Sequence, residues 1–304
     1  MSVVGFDTSN YTTSIAYYDG VDGVNCSRLL PVKPGELGLR QSDAVFHHTK
    51  SLPELSGRLF SHVEGDIEAV GVSTRPRAVE GSYMPCFMVG YSHAKMLSDA
   101  YRVPLFEVSH QQGHVAASLW SAGRLDLMDK PHLAWHLSGG TTELLLVEPE
   151  GKNVKCSRIG GTTDISAGQL IDRTGVMLGL PFPAGKHLDA LSGEAQGREV
   201  FKVKCPEMEF SLSGVQNKVQ QFHKGDNAET AAYALRCVAF AVRKATENAL
   251  KAYPGLEVVF SGGVASNSML RQLTADLHPI YCAPQYSTDN AMGVAVLTKR
   301  LLEA

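Results

Sequence analysis

Two segments of the chain share one pattern, and this repeat constrains the fold more than any other feature of the sequence. Residues 3–18 read VVGFDTSNYTTSIAYY, and residues 133–147 read LAWHLSGGTTELLLV. In each segment a small polar turn separates two apolar runs, a pattern that indicates two strands joined by a turn. We therefore expect the chain to contain two related halves.

Strand and helix patterns alternate between and beyond these hairpins. Residues 67–73 and 256–260 are apolar runs typical of buried strands. Residues 42–63 have helical spacing, in which Pro53 is expected to mark a break or a new start. The alternation indicates an α/β fold class with partly parallel sheets. Together with the repeated hairpin, it resembles the ATPase superfamily of actin, sugar kinases and heat-shock chaperones. That resemblance implies two duplicated lobes around a nucleotide cleft.

The length also favours two lobes. A chain of 304 residues suggests roughly two domains, and the junction is predicted near residues 108 to 131. We expect an N-terminal actin-like lobe at residues 1–108 and a C-terminal actin-like lobe at residues 109–304. The second lobe is predicted to carry a helical insertion near residues 162–235.

Composition excludes several classes of protein. The chain is 44% hydrophobic and 19% charged, with a formal net charge of −3, so any contact with nucleic acid needs a local basic patch or a partner subunit. The first residues, MSVVGFDTSNYTT, have no basic start and no long apolar core, so we expect no signal peptide. No apolar run approaches the ~18 residues of a membrane span. The six cysteines are scattered without a C-x-x-C pair. We therefore predict a cytoplasmic protein that does not bind a membrane.

A pair of histidines in the stretch EVSHQQGH predicts a metal site. Ser109 can cap a helix, and Gln112 three residues later completes the pattern of a capping box. His110 and His114 then lie one turn apart on the same helix face. The positive end of the helix dipole favours neutral imidazole, the form that binds metal. Two histidines with only structural roles remain the alternative.

Asp289, in the segment YSTDNAMG, is the candidate third ligand. A His-His-Asp set with open positions suits zinc or non-haem iron. The alternative role for Asp289 is an acid that interacts with the dipole of the last helix. Metallopeptidases of the H-E-x-x-H type need the glutamate as a general base, whereas HQQGH has no acid between its histidines. Peptidase chemistry is therefore disfavoured.

Two glycine turns follow predicted strands. Glycines let a backbone approach an anion, and neighbouring hydroxyls can donate to it. A nucleobase or sugar could lie on the glycines of the second turn, close to an asparagine; a tight turn with a helix cap is the alternative. The residues concerned are Ser138, Gly139, Gly140 and Thr141 in the first turn, and Gly262, Gly263 and Asn267 in the second.

The middle segment GGTTDISAGQLIDRTGVMLGLPFPAGK carries acids at helical spacing. Asp164, Gly168 and Asp172 recur every four residues, so they lie on one helix face. The glycine would let a ligand come close, and the two acids could accept hydrogen bonds from ribose hydroxyls. A solvated face with a glycine that serves helix packing is the alternative.

Six motifs in order resemble one protein family. HQQGH, LSGGTTELLLV, TTDISAGQLIDRTGVMLGLPFPAG, FSLSGVQ, FSGGVASNSMLR and STDNAMG extend over essentially the whole chain. Together they resemble the TsaD family of tRNA threonylcarbamoyladenosine synthesis proteins, formerly called O-sialoglycoprotein endopeptidases. Each motif alone is weak, but six at the family's spacing are specific.

This resemblance implies an actin-like ATPase fold and a reaction. The family transfers a threonylcarbamoyl group from its adenylate to the adenosine beside the anticodon in tRNA. It implies one divalent metal, iron or zinc, on His110, His114 and Asp289, with Mg²⁺ as a further candidate ion and Asp7 as the candidate catalytic residue. The residues expected to bind the adenine nucleotide or acyl-adenylate are Thr8, Ser9, Ser138, Gly139, Gly140, Thr141, Asp164, Gly168, Asp172, Gly185, Gly262, Gly263 and Asn267. Expected partners are tRNA through a partner complex, and a TsaB-like protein or a second copy of the chain.

The sequence departs from the family pattern at several polar positions. The metal set and the glycine turns persist, so binding of metal and nucleotide is better supported than the family's reaction, and the chain resembles a divergent paralogue. The departures are Asp7 for glutamate, Tyr11 and Thr12 for an acidic pair, Gln112 for glutamate, Thr141 for histidine, Ile165 for an acid, and Gln169 for glutamate.

We therefore predict an acyltransferase, with other functions kept as alternatives. The main alternative is a non-catalytic or altered-chemistry paralogue that binds nucleotide and metal. A phosphotransferase of the sugar-kinase type would need an aspartate base and a Mg²⁺ site, for which the sequence offers no clear pair. A metallopeptidase is disfavoured by the missing glutamate.

Overall fold

The structure is a computed structural model that describes residues 2–9, 11–31, 39–63, 65–286 and 290–304. The strands are β1 (Ser2–Asp7), β2 (Thr12–Tyr18), β3 (Gly23–Leu29), β4 (Ile67–Arg75), β5 (Leu105–Ser109), β6 (His132–Leu137), β7 (Thr142–Glu150), β8 (Asn153–Thr162), β9 (Glu209–Phe210), β10 (Val258–Ser261) and β11 (Ile280–Tyr281). The helices are α1 (Gln41–Phe60), α2 (Phe87–Tyr101), α3 (His110–Ser121), α4 (Ala167–Met177), α5 (Gly185–Ser192), α6 (Ser213–Phe222), α7 (Asn227–Ala252), α8 (Ser268–Thr274) and α9 (Met292–Leu302). Short 3-10 turns lie at Leu125–Asp129, Gly263–Ser266, Ala275–Leu277 and Pro284–Tyr286.

Two sheets repeat one topology. The first has the strand order β3-β2-β1-β4-β5, and the second has the order β11-β10-β6-β7-β8-β9. In the first, β1 pairs antiparallel with β2 and parallel with β4; in the second, β6 pairs antiparallel with β7 and parallel with β10. β5 extends the first sheet in parallel with β4, as β11 extends the second in parallel with β10. The prediction of two related halves is confirmed.

The chain divides into two compact units. The first unit contains Met1–Lys130, Glu148–Cys156 and Asp289–Ala304, and the second contains Pro131–Val147 and Ser157–Thr288. The first unit therefore continues past residue 108, where the sequence analysis places the end of the N-terminal lobe, and it takes in α9. Helices α4, α5 and α6 lie in the range predicted for the helical insertion.

Glycines let α9 pack closely on the first sheet. Gly5 of β1 lies opposite Gly71 of β4. A Cβ at Gly5 would lie 2.6 Å from the Ala295 backbone nitrogen, and a Cβ at Gly71 would overlap Thr298 Oγ1. The alternate residues of these strands, including Val4 and Val72, join a hydrophobic core with α1 and α2. Both faces of the sheet are covered, which explains why β1 and β4 read as continuous apolar runs.

Helix α1 continues through Pro53 without the predicted break. Proline removes one backbone donor from a helix and clashes with the preceding turn. Leu52 and Leu55, on either side of it, are fully buried in the core of the first unit. Tertiary packing of an apolar face stabilises most helices more than local propensity does, and here it overrides the proline.

The second unit is built around Trp135 and helix α7. Trp135 is fully buried, and its indole N–H donates to Thr246 Oγ1 over 2.9 Å. Small residues of α7, such as Ala241 and Ala245, are completely buried and let the helix approach the sheet. Cys237, also buried on α7, is a free thiol, as are the other five cysteines.

Helices α3 and α9 approach each other through two glycines. A Cβ at Gly293 would overlap the carbonyl oxygen of Gly113, and one at Gly113 would lie 3.3 Å from Val294 Cγ2. Gly113 is the glycine of HQQGH, so the start of α9 lies against the helix that carries the histidine pair. No helix in the described part of the chain is long and apolar enough to cross a membrane.

Candidate functional site

Three parallel strands of the first unit end at one edge of their sheet. β4 lies between β1 and β5, with Phe6 opposite Val72 and with Val108 opposite Ser73. The carboxyl ends of these strands are the edge at which α/β proteins bind ligands. The polar segments at these strand ends are therefore neighbours: residues 7–9 at the end of β1, residues 73–75 at the end of β4, and residues 109–110 at the end of β5.

The histidine pair begins α3 as the sequence predicts. Ser109 Oγ accepts from the Gln112 backbone N–H over 3.2 Å, and Gln112 Oε1 accepts from the Ser109 backbone N–H over 2.9 Å, so the capping box is confirmed. The rings of His110 and His114 lie 4.4 Å apart between centroids, with their planes at 85°. Both imidazoles are thus on one helix face and close together.

Asp7 orients the first histidine. Its Oδ2 lies 2.6 Å from His110 Nδ1, and its Oδ1 accepts from the Ser9 backbone N–H over 2.8 Å. The aspartate side chain is almost completely buried. A carboxylate on one imidazole nitrogen fixes the ring and favours a free lone pair on the other, an arrangement typical of histidines that bind metal. Asp7 and His110 were each predicted from the sequence as site residues, but their contact was not.

The donor set fits a metal ion in part. His110 and His114 supply two imidazoles on one face, and Asp7 supplies the carboxylate that metal-binding histidines usually contact. Among the residues that the structure describes, no group of three or more histidine, cysteine, aspartate or glutamate side chains could hold a metal ion. The predicted third ligand, Asp289, lies outside the described residues. The metal site with Asp289 stays a prediction.

Gln112 has a structural task that a glutamate could not perform. Its Nε2 donates to the Val154 carbonyl over 2.7 Å while its Oε1 accepts from Ser109. The side chain is 4% exposed. An ionised carboxylate has no donor for the Val154 carbonyl, and its burial would carry a desolvation cost. The amide between the two histidines therefore links α3 to β8.

Neutral groups surround the Asp7–His110 contact. Burial lowers the pKa of His48 to about 4, although the Asp7 charge opposes this shift. His48 Nδ1 lies 2.8 Å from Thr13 Oγ1. Burial, and then the Asp7 charge, raises the pKa of the Cys86 thiol to about 12. At neutral pH His48 is uncharged and Cys86 is a thiol, so neither competes with His110 for the Asp7 carboxylate.

Thr8 connects the end of β1 to the start of α2. Its hydroxyl donates to the Cys86 carbonyl over 2.9 Å and accepts from the Gly90 backbone N–H over 3.0 Å. A Cβ at Gly90 would lie 2.9 Å from that hydroxyl, so the glycine permits the contact. Thr8 was predicted to bind the ligand, and the structure places its hydroxyl in bonds within the first unit.

In the second unit, the first glycine turn is held by its own backbone and by α4. The Ser138 backbone N–H donates to the Thr141 carbonyl over 2.8 Å, and Ser166 Oγ donates to the Gly139 carbonyl over 2.6 Å. A Cβ at Gly168 would lie 2.5 Å from Gly139 Cα. Gly168 therefore lets the backbone of the glycine turn, and not a ligand, approach α4 closely. A Cβ at Gly139 or at Gly140 would meet no described atom within 4 Å.

The second glycine turn follows β10. Gly262 has a φ of 91°, and a Cβ there would overlap the Leu137 carbonyl, so this position requires glycine. Around Gly263 the space is open, since no described atom lies within 4 Å of a Cβ built on it. Asn267 caps α8 through the Leu270 backbone N–H at 3.0 Å, and its Nδ2 donates to Asp189 Oδ1 over 2.8 Å. The asparagine is thus held in place next to an open glycine backbone.

Asp164 anchors the start of α6. Its carboxylate accepts from Ser211 Oγ over 2.5 Å, from Ser213 Oγ over 2.6 Å and from the Leu212 backbone N–H over 2.8 Å. Burial pushes the pKa of Asp164 upward, but these hydrogen bonds outweigh it and lower the pKa to about 2. The predicted ribose acceptor is therefore engaged with the FSLSG segment.

Asp172 joins α4 to the GLPFPAG turn. Its Oδ1 accepts from the Ala184 backbone N–H over 2.8 Å, and burial raises the pKa of Asp172 despite that bond. Gly185 begins α5, and a Cβ there would lie 4.0 Å from Ile171 Cγ2. The three predicted positions 164, 168 and 172 therefore bind three separate parts of the second unit.

The fold that these sites share is confirmed by solved structures. Full-length HypF, in a phosphate- and nucleotide-bound form, matches with a TM-score of 0.64 and 16% identity over 100% of this chain and 47% of its own. The (R)-2-hydroxyglutaryl-CoA dehydratase component A of Acidaminococcus fermentans matches with a TM-score of 0.58 and 15% identity over both full chains. The ROK hexokinase of Thermus thermophilus matches with a TM-score of 0.52 and 13% identity, again over both full chains. The protein has the actin-like ATPase fold.

Sequence comparison gives the family within this fold. A family model described as TsaD, tRNA N6-adenosine threonylcarbamoyltransferase, matches residues 37–296. Two relatives with that name, from Persephonella marina and a Sulfurihydrogenibium species, are 30% and 32% identical over 97% of this chain and 88% and 89% of their own. A third, from Archaeoglobus fulgidus, is 29% identical over 90% of this chain and 81% of its own. The chain belongs to the TsaD family.

Proposed function

We propose that this protein transfers a threonylcarbamoyl group from its adenylate to adenosine in tRNA, in a metal-dependent reaction. One observation carries the proposal beyond family membership. Asp7 Oδ2 lies 2.6 Å from His110 Nδ1, on a helix where His110 and His114 lie face to edge. A carboxylate that orients one of two histidines on a helix face is typical of metal sites, which supports a metal-dependent reaction.

The first unit would supply the groups for the acyl chemistry. His110, His114 and Asp289 would hold one divalent ion, iron or zinc, which when bound acts as a Lewis acid on the acyl carbonyl. Asp7 would fix the orientation of His110, since both of its carboxylate oxygens are already in hydrogen bonds. This favours a positioning role for Asp7 over the role of a proton acceptor.

The second unit would supply the groups for the adenine nucleotide. Gly139, Gly140 and Gly263 present backbone to open space, and Asn267 is fixed beside the second turn. Exposed backbone N–H groups at glycine turns suit phosphate and sugar oxygens. In the transfer, the adenosine N6 forms a bond to the acyl carbon, the bond from that carbon to the adenylate oxygen breaks, and AMP leaves as the N6 proton is released.

A chain that binds metal and nucleotide but has lost the transfer reaction is the second candidate. The motif departures favour it, since Tyr11, Thr12 and Thr141 replace acids and a histidine of the family pattern. A TsaB-like partner, a homodimer, a tRNA-bound partner complex and a cytoplasmic location belong to both proposals.

One set of measurements tests these functions. The metal content of the purified chain is measured by mass spectrometry, for the wild type and for the variant with both His110→Ala and His114→Ala. Binding of adenine nucleotides is measured by calorimetry, and threonylcarbamoyladenosine is quantified in the tRNA of a TsaD-deficient cell that expresses the chain. Restored modification with metal present in the wild type and absent from the double variant supports the transferase.

Two other outcomes would change the assignment. Nucleotide and metal binding without any modified tRNA, also when partner subunits are supplied, would favour the non-catalytic or altered paralogue. An equal metal content in the wild type and in the double histidine variant would refute the metal site itself.

A further inference from the structure

The end of β4 carries buried polar atoms that the fold does not satisfy. Ser73 Oγ, Thr74 Oγ1 and Arg75 Nε have no hydrogen-bond partner in the described part of the chain, and Ser73 is fully buried. A buried donor that is left unsatisfied destabilises the fold, because it has lost its hydrogen bonds to water. Three such atoms on consecutive residues indicate that a ligand or an ordered water supplies their missing hydrogen-bond partners.

These three residues lie at the sheet edge where the parallel strands of the first unit end. Ser73 lies opposite Val108 and Arg75 lies opposite Ser109, so Thr74 is an extra residue in β4 and forms a bulge. Bulges next to functional sites redirect side chains and end strand pairing. On the other side of β4, Ser9 at the end of β1 is 4% exposed, and its hydroxyl also has no described partner.

The chemistry of these groups points to an anion. Arg75 forms no ion pair with any carboxylate in the described ranges, and its neighbours in the cluster are hydroxyls that can donate. Asp7, a carboxylate at this edge, is already bound to His110 and to the Ser9 backbone N–H. A guanidinium flanked by hydroxyl donors suits a carboxylate, which accepts several hydrogen bonds in one plane.

The second unit shows that the topology does not require such unsatisfied atoms. Its corresponding strand, β10, also carries a serine at its carboxyl end, yet Ser261 Oγ donates to the Trp135 carbonyl over 2.7 Å. The turn that follows is made of glycines. The unsatisfied hydroxyls, and the guanidinium that pairs with no carboxylate among the described residues, are therefore a property of the residues at the end of β4 and not of the fold.

We propose that Ser73, Thr74 and Arg75, together with the Ser9 hydroxyl, form a subsite for the free carboxylate of the acyl group. The subsite rests on the proposed function, because a threonylcarbamoyl group carries an α-carboxylate that remains ionised during transfer. Arg75 pairs with that carboxylate and the hydroxyls donate to it. The subsite selects acyl groups with a carboxylate, as in amino acids, over neutral acyl groups. It places the carbamoyl carbon beside the sheet edge at which His110 lies.

A binding experiment with the full chain tests the subsite without tRNA or turnover. The probes are N-carbamoyl-L-threonine, which has the carboxylate, and its neutral α-amide, compared by ligand-observed NMR and calorimetry. We expect the acid to bind the wild type at least roughly tenfold more tightly than the amide, the effect of a charged hydrogen-bonded pair. In Arg75→Met this preference disappears. In the control Arg77→Met, which alters an exposed arginine two residues further along the chain, the preference stays.

Further variants separate the subsite from other sources of binding. The variant with both His110→Ala and His114→Ala removes any metal that could hold the carboxylate, and the preference for the acid is expected to persist in it. Thr74→Val is expected to weaken acid binding a few-fold while amide binding is unchanged. It also serves where Arg75→Met fails to fold, as judged by its thermal unfolding.

Several results would overturn the subsite. The first is an acid that binds the wild type no better than the amide does. The second is a preference for the acid that persists in Arg75→Met. The third is a preference that is lost in the variant with both His110→Ala and His114→Ala. Inorganic phosphate that displaces the acid at equal or lower concentration would make this a general anion site and also refutes the proposal. Failure of the transferase assay alone leaves these affinities unchanged, so the two proposals fail separately.

Discussion

The strand ends of the two units carry different chemistry on one topology. In the first unit, the ends of β1, β4 and β5 present a carboxylate, hydroxyls, a guanidinium and two imidazoles. In the second unit, the ends of β6 and β10 present glycine backbone, and the nearby polar side chains are engaged in holding helices in place. Topology thus determines where ligands approach, while the residues at the strand ends determine whether side chains or backbone contact them.

The largest effect is expected where backbone approach is essential, at Gly168 in the second unit. Gly168→Ala places a Cβ 2.5 Å from Gly139 Cα and from the Ser138 carbonyl, and backbone cannot yield as a flexible side chain can. We expect the free energy of unfolding to fall by about 1–3 kcal/mol and adenine nucleotide binding to weaken, because the glycine turn must move. Urea unfolding and calorimetry measure the two effects.

Gly214 in α6 supplies the matched control. A Cβ there would meet no described atom within 4 Å, so Gly214→Ala is expected to raise stability by about 0.5–1 kcal/mol through helix propensity. A Gly168→Ala variant that is as stable as the wild type and binds nucleotide equally well would contradict the role of backbone approach in the second unit.

The counterpart in the first unit is the side chain of Asp7. Asp7→Asn removes the charge that faces His110 Nδ1 at 2.6 Å while the size stays the same. Because carboxylates that orient metal-binding histidines contribute about 10–100-fold to metal affinity, we expect a loss of that size in chelator competition. Asp43→Asn, an exposed acid at the start of α1, is the control and should change nothing. Unchanged metal affinity in Asp7→Asn would remove the positioning role.

Gln112 tests whether the amide between the histidines is structural. Gln112→Glu removes the donor to the Val154 carbonyl and buries a charge in a side chain that is 4% exposed. We expect a loss of about 1–3 kcal/mol at neutral pH that shrinks in acid, because a protonated carboxyl can donate again. Gln221→Glu, at an exposed position of α6, is the control for added charge. Gain of peptidase activity in Gln112→Glu would contradict this interpretation.

Local rules predicted the parts of the fold that depend on neighbouring residues. The capping box of Ser109 and Gln112 follows from residues three apart, and the duplicated hairpin follows from alternating apolar runs. The break expected at Pro53 is wrong, because Leu52 and Leu55 hold α1 in the core. That packing depends on the tertiary structure, which periodicity alone does not contain.

Contacts between distant residues could not be predicted in the same way. Ser211 meets Asp164 across 47 residues, and Asn267 meets Asp189 across 78. Neither pair has a sequence spacing that indicates it. The spacing of the acids predicted Asp164 as a binding residue, and the second glycine turn predicted Asn267. The hydrogen bonds that fix these two side chains depend on the tertiary fold. The unsatisfied end of β4 likewise has no local signature, since a strand that ends in Ser-Thr-Arg is ordinary.

The smallest expected effect concerns Asp164, a side chain that anchors backbone in the second unit. Its pKa is lowered to about 2 from 3.8, chiefly by hydrogen bonds from Ser211 and Ser213 that overcome the opposing effect of burial. A carboxyl whose folded pKa is depressed stabilises the protein above its unfolded pKa and loses that contribution as pH falls through the folded one. Stability should therefore decline between about pH 4 and pH 2, by about 1 kcal/mol or less from this group, because solvent screens an exposed carboxylate. Urea unfolding across this range should give a shallower decline for Asp164→Asn than for the wild type. Equal slopes would show that the anchor at α6 does not depend on the charge of Asp164.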